Sequence, residues 1–212
     1  MVSVIIPSYE RYDLLLRSID SVLNQTYRDI EIVVVDDCSK DSRYLNLSNN
    51  NIKYHRLEKR LGFPGKVRNH GIINSLGDWV SFLDDDDTWL PTKLERQIQF
   101  INSYDFISCD ALIDGKSYTR DIYKYFWDTN NPTNTDELDI HILSRHNVII
   151  NSTVLVRKKL IESVGLVDEA HRNGEDHVTW MKILNTGKIC KYVDEPLINY
   201  NTYTHKHYTD NL

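Results

Sequence analysis

The feature that most restricts this sequence is a set of short apolar runs that each stop on polar residues. Val2 to Ile6 closes with Pro7 and then Ser8-Tyr9-Glu10. Ile30 to Val35 stops at Asp36-Asp37, and Trp79 to Leu83 stops at four consecutive aspartates, Asp84 to Asp87. Nearly continuous, β-branched runs of this length suit strands buried on both faces. Ile52 to Leu57 reads as another strand. Between the strands lie segments with helical spacing. Tyr12 to Gln25 repeats Leu15, Ile19, Val22 and Leu23, and residues 62–75 hold a helix that Gly77 is expected to end. Pro91 opens a further helix to about Ile101, proline being tolerated in a first turn. Strand and helix alternating through short loops predicts an α/β fold: a doubly wound, mostly parallel sheet flanked by helices. Such sheets bind ligands beyond the carboxyl ends of their strands. The three polar clusters are therefore expected to share one rim.

The second half is less regular and predicts a smaller lobe. Phe106 to Cys109, Ser152 to Val156 and Ile189 to Val193 read as strands. Asp136 to Leu143, Lys158 to Val164 and Asp176 to Leu184 read as helices, Gly165 ending the second of them. Residues 110–135 are polar and aromatic without a clear period. No repeat or Gly/Ser spacer divides the chain. One domain over 1–212 is expected, with two lobes.

Charge and composition exclude several classes. Asp plus Glu total 31 against 25 Lys plus Arg, a net charge of −6. That balance argues against a general nucleic-acid binder, which needs a basic surface for phosphates. No apolar run is long enough to span a bilayer, and the first residues lack the basic start of a signal peptide. The three cysteines, Cys38, Cys109 and Cys190, fit neither a disulfide framework nor a zinc site. A cytoplasmic, reducing location is the expectation.

Three clusters can carry chemistry. Crowded carboxylates repel, and a hard divalent cation relieves this, so Asp84 to Asp87 after a buried strand points to Mg²⁺ or Mn²⁺ with substrate phosphates in its open positions. A solvated acidic turn is the plainer alternative. Asp36-Asp37 is either a turn pair or an acceptor for a nucleoside. No Gly-x-Gly-x-x-Gly or P-loop motif follows the first strand, which argues against dinucleotide and P-loop enzymes. Tyr9 either flanks a base or is a partly buried aromatic. Gly174-Glu175-Asp176 precedes a helix, where Asp176 is either a first-turn acid or a general base whose pKa the helix start would lower.

Taken in order, these segments resemble the inverting, non-processive glycosyltransferases of family 2, which have the GT-A fold. The resemblance rests on Val2 to Tyr9, Ser21 to Tyr27, Glu31 to Ser39, Gly65 to Ile72, Phe82 to Pro91, Ile150 to Thr153 and Gly174 to Asp176. It implies a metal-dependent transfer of one sugar from a nucleotide diphosphate sugar, a UDP-sugar, to a hydroxyl of a glycan or glycoprotein, with inversion, residues 1–87 forming the nucleotide-binding half and 88–212 the acceptor-side half. Pro7, Ser8, Tyr9, Glu10, Asp36 and Asp37 would hold the nucleoside, Asp37 ahead of Asp36 at the uracil edge. Arg68 would sit near the nucleoside and its acidic partner. Asp84-Asp85-Asp86 takes the place of the Asp-x-Asp motif, with Asp86 on the metal, Asp84 facing sugar or ribose and also a metal candidate, and Asp85 on the donor side. Four aspartates in a row leave that register open by one. Asp176 takes the place of the base, with Glu175 beside it.

The Gln-x-x-Arg-Trp motif of processive synthases does not follow Asp176. His205 and His207 stand where some relatives place a histidine near the metal, and Tyr118 to Trp127 is a candidate wall of the acceptor site. The resemblance extends to catalytic modules of larger glycosyltransferases, virus-encoded ones among them. Two other readings stay open: a binding module that holds a nucleotide sugar or glycan without turnover, and a nucleotidyltransferase. The latter lacks its glycine-rich basic loop here, Arg11 being a poor substitute.

Overall fold

Side chains of the first strand alternate between two cores. In a computed structural model, which describes residues 1–47, 51–118, 136–145 and 147–202, β1 (Val2–Ser8) sends Val2, Val4 and Ile6 to one face and Ile5 to the other. The period of two is that of any strand; the apolar character of both sets is what demands cover on both sides. On the first face lies α1 (Tyr12–Leu23), which buries Leu15, Ile19 and Val22. On the second lie α2 (Pro64–Asn74) and α6 (Glu175–Leu184), with Val67, Ile72, Trp180 and Ile183. β2 (Ile30–Asp36) divides its residues the same way.

The sheet continues through β3 (Ile52–Arg56), β4 (Trp79–Phe82), β5 (Thr88–Trp89), β6 (Phe106–Ile113), β9 (Leu155–Arg157) and β10 (Cys190–Asn199), in the order β3-β2-β1-β4-β9-β6-β10-β5. β7 (Lys116–Ser117) pairs with β6, and β8 (Glu137–Leu138) with β10. The long ladders, β1 with β2 and β4, β2 with β3, and β6 with β10, are parallel. The short ones at β5, β7, β8 and β9 are antiparallel. Among the described residues no helix is long and apolar enough to cross a membrane, and all three cysteines are free.

Several elements depart from the sequence reading. The helix after Pro91 is short, α3 (Lys93–Gln97), followed by a 3₁₀ turn at Ile98–Phe100. Gln25 holds its start, accepting from Leu94 N at 3.0 Å and donating to Leu90 O at 2.7 Å. The helix expected from Asp136 begins only at α4 (Ile140–Leu143), because Leu138 pairs with Cys190 of β10 and Asp139 then caps the helix by accepting from Ile142 N. The strand expected from Ser152 begins at Leu155, residues 151–153 forming a 3₁₀ turn. α5 (Lys158–Ser163) ends near Gly165 as expected, that glycine having φ +89°. Gly77 does not cap α2. A Cβ there would lie 2.5 Å from Ser3 Oγ and 2.9 Å from Met1 O, so the glycine allows the chain to pass against β1.

Candidate active site

Because β1, β2 and β4 run parallel, their carboxyl ends lie at one edge, and the segments leaving them border a cleft of about 790 Å³. That is the size of an ordinary small-molecule site. Pro7, Ser8 and Tyr9 line it from β1, Asp37 from β2, and Asp84, Asp85 and Asp86 from β4. Glu175 and Asp176 line it from the first turn of α6.

The acidic run divides by environment. Asp84 accepts from Arg68 Nη2 at 2.6 Å and from Asn151 Nδ2 at 3.0 Å. Asp85 accepts from Ser8 Oγ at 2.7 Å and pairs with Arg11 at 3.2 Å. Burial pushes its carboxyl up to about 7, with Arg11 pulling the other way. Asp86 pairs with the same Arg11 nitrogen at 2.8 Å. Asp87 turns inward, taking Ser152 Oγ at 2.5 Å and Asn201 N at 2.8 Å. Burial, then the charge of Asp84, push it well above the ordinary carboxylate range. Asp87 thus braces the run from behind.

Arg68 spans the cleft floor. One guanidinium nitrogen meets Asp84 and the other meets Glu175 at 2.5 Å, with the arginine only 5% exposed. Burial works against its charge, but Asp84 and Glu175 more than offset this and raise its basicity. Burial raises Glu175 while Arg68 opposes it. Glu175 is therefore the partner of an arginine, and Asp176 stands beside it on the same cleft. Its Oδ1 accepts from His177 N at 2.7 Å, and Asn147 Nδ2 stands 3.5 Å from Oδ2. The expected lowering of its pKa at a helix start is overturned: burial raises it, against the pull of Arg68. Gly174, at φ +76°, makes the left-handed turn into the helix.

Asp37 accepts from Leu61 N at 2.6 Å and Gly62 N at 2.9 Å, and so pins the loop leading into α2 against the cleft. Asp36 does not line the cleft. It is fully buried, accepting from Ser39 N and Tyr54 Oη, with Arg56 at 3.6 Å. Successive strand residues point to opposite sides, so only one of the doublet reaches the rim. Glu10 also lies off the cleft; at φ +55° its carboxylate turns back to accept from Lys40 N at 2.7 Å. Tyr9 lines the cleft with the Arg60 guanidinium 4.0 Å above its ring. Tyr118 lines it too, while 119–127 and His205 and His207 lie outside the described residues.

Six cleft residues escape the sequence reading of the site: Arg11, Arg60, Asn147, Arg172, Asn173 and Tyr200. Only Arg11 had a legible signal, since four adjacent carboxylates require a cation and it stands two residues beyond Tyr9. A divalent cation fits the donors present in one form only. They are all carboxylate oxygens, and among the described residues no three Asp, Glu, His or Cys side chains gather as a metal cage. Asp84 and Asp86 can supply an open site for Mg²⁺ or Mn²⁺ that substrate oxygens complete.

The model of the family described as Glycosyl transferase family 2 matches residues 3–165. The chain belongs to this family. Curated relatives include an uncharacterised glycosyltransferase of Rickettsia typhi, 33% identical over 93% of this chain and 62% of the relative. The Escherichia coli UDP-Glc:alpha-D-GlcNAc-diphosphoundecaprenol beta-1,3-glucosyltransferase WfaP is 29% identical over 88% of this chain and 71% of its own. The chain spans 62% of the Rickettsia typhi relative and 29% of that of Rickettsia bellii. Staphylococcus aureus TarS 1-349 in complex with UDP-GlcNAc superposes with TM-score 0.74, at 24% identity, over 94% of this chain and 58% of TarS. The mannosyltransferase PcManGT of Pyrobaculum calidifontis, in complex with GDP-Man and Mn²⁺, gives 0.73 at 18% identity, over 98% of this chain and 59% of its own. These likenesses establish the GT-A fold.

Proposed function

We propose that this family 2 chain transfers one sugar from a UDP-sugar to a hydroxyl of a glycan or glycoprotein acceptor, with inversion at the anomeric carbon. The observation that carries the reading is the Arg68 bridge, which joins Asp84 on the nucleotide side to Glu175 and thereby sets Asp176 across the same cleft. Family membership and the UDP-GlcNAc held by TarS support it.

Pro7, Tyr9 and Asp37 border the end of the cleft assigned to the nucleoside, and Asp84 faces the donor sugar with one oxygen fixed by Arg68 and Asn151. Asp176 takes the proton of the acceptor hydroxyl as its oxygen attacks the anomeric carbon. The bond to the diphosphate oxygen breaks on the opposite face, and the configuration inverts. Burial strengthens Asp176 for this step by bringing its pKa nearer the working pH. Asp86 and Asp84 would hold a divalent cation, which when bound neutralises charge on the departing diphosphate.

Calorimetry with UDP and Mn²⁺, paired with transfer assays on Asp176→Asn, tests the reading. The variant is expected to lose transfer at least a hundredfold, on the order of a lost general base, and to keep UDP binding within about twofold. Loss of both together removes Asp176 from the role of base. Absence of any nucleotide diphosphate binding overturns the donor assignment.

A further inference from the structure

We infer that Asn147 is the positioning residue for the Asp176 carboxylate, an inference that rests on the reading of Asp176 as the base. Among the described residues, the side-chain hydrogen bond reaching Asp176 is the one from Asn147 Nδ2 to Oδ2, at 3.5 Å. The other hydrogen bond to this carboxylate is local, from His177 N to Oδ1.

Orientation of the Asn147 amide follows from its second contact. Its Oδ1 accepts from Ile149 N at 3.2 Å, and an N–H donor requires an oxygen opposite it. The NH₂ group is thereby turned to Asp176. The backbone is fixed as well, the Asn147 carbonyl accepting from Tyr118 Oη at 3.1 Å. Just downstream, Asn151 grips Asp84 and Ser152 grips Asp87. One stretch of chain therefore sets both the acidic run and the base.

The contact is long in the free protein, at the outer limit of a hydrogen bond, as contacts that tighten only in the substrate complex often are. Oδ1 is held at 2.7 Å by a backbone donor, and Oδ2 keeps a loosely held lone pair. Oδ2 is then the oxygen that accepts the proton, and Asn147 sets where it points. Charged and titratable groups facing Asp176 come from several elements. Arg68 of α2 lowers its pKa, while Asp84 after β4 raises it; Glu175 stands beside it in sequence, and the Tyr200 phenol after β10 lies near enough to feel its charge. None of these reaches Oδ2 with a hydrogen bond.

Asn147→Asp separates aiming from folding. The new carboxylate still accepts from Ile149 N, so the turn survives, but the donor to Asp176 becomes a like charge. Three readouts decide the matter. Expected are a fall in kcat of about tenfold at neutral pH with UDP affinity unchanged within about twofold, and an acid limb of kcat/KM displaced upward. The Asp176 carboxyl carbon, assigned by comparison with Asp176→Asn and followed by NMR in donor-free protein, should titrate about one unit higher than in the wild type. Asn147→Ala should move it in the same direction by less. An unmoved NMR titration in Asn147→Asp, or a rate loss equal at every pH, overturns the inference. Because that titration needs no turnover, it stands or falls separately from the transferase reading, which Asp176→Asn tests by itself.

Discussion

With one guanidinium nitrogen on Asp84 and another on Glu175, Arg68 neutralises two carboxylates that burial would otherwise make costly. Truncating it to Arg68→Met leaves Glu175 buried without a counter-ion. The variant is expected to lose about 3–5 kcal/mol of stability at pH 7, read by urea denaturation, with part recovered in acid as Glu175 protonates. A loss below about 1 kcal/mol would mean that water reaches the pair and screens it. Asp37, Asp84 and Asp176 are legible in the sequence because each stands where a strand ends or a helix begins, whereas Arg68, inside α2, is reached only through the family resemblance. Asp36 and Glu10 are misread for one reason: neighbours in the chain need not share a face, and their carboxylates are consumed by Ser39, Tyr54 and Lys40. Asn147 and Tyr200 are illegible for another. They reach the cleft only through the way β9, β6 and β10 are ordered in space, and no local pattern encodes that order.

At the scale of elements, α3 inserts a lysine into the core. Lys93 is fully buried, its Nζ donating to Ser81 Oγ at 2.9 Å and standing 3.8 Å over the Trp89 ring. Among the described residues no carboxylate pairs with it, and burial brings its pKa down from the ordinary 10.5 to about 7. Between those values the unfolded chain keeps a proton that the folded one has released, so stability rises with pH across that range. Below pH 7 the cost of burying the charge is present in full. Lys93→Met is therefore expected to stabilise the fold by about 1–4 kcal/mol at pH 6, with the gain shrinking toward pH 10. Urea titrations at both ends of the range measure it, and an equal gain at each would remove the charge from the explanation. This lysine also shows where element reading fails. The parallel half, β1 to β4, follows from apolar runs and helical spacing alone. The helix after Pro91 and the strand around Leu138 take their lengths from distant partners, Gln25 and β10, which local periodicity does not reveal.

Across the whole molecule, part of the net charge of −6 has a location. Asp37, Asp84, Asp85, Asp86, Glu175 and Asp176 all border one cleft, where Arg11, Arg60, Arg68 and Arg172 balance only part of their charge. UDP with Mn²⁺ is expected to raise the melting temperature more than either alone. At a hundred times Kd the gain corresponds to about 2.7 kcal/mol. Chelation with EDTA should remove most of it, and an undiminished shift in EDTA would take the cation out of the site. The sheet that frames the cleft is continuous, β4 pairing with β9 and β5 with β10 across the middle of the chain. That continuity bears on how such enzymes can be recombined. A chimera joining residues 1–87 of this chain to the rest of a relative would cut through the β4–β9 ladder and would ask a foreign Glu175 equivalent to dock on this Arg68. Crossovers that respect the β4–β9 ladder, exchanging the surface of the acceptor wall while keeping β9 and α6 with their own Arg68, are the ones the architecture permits.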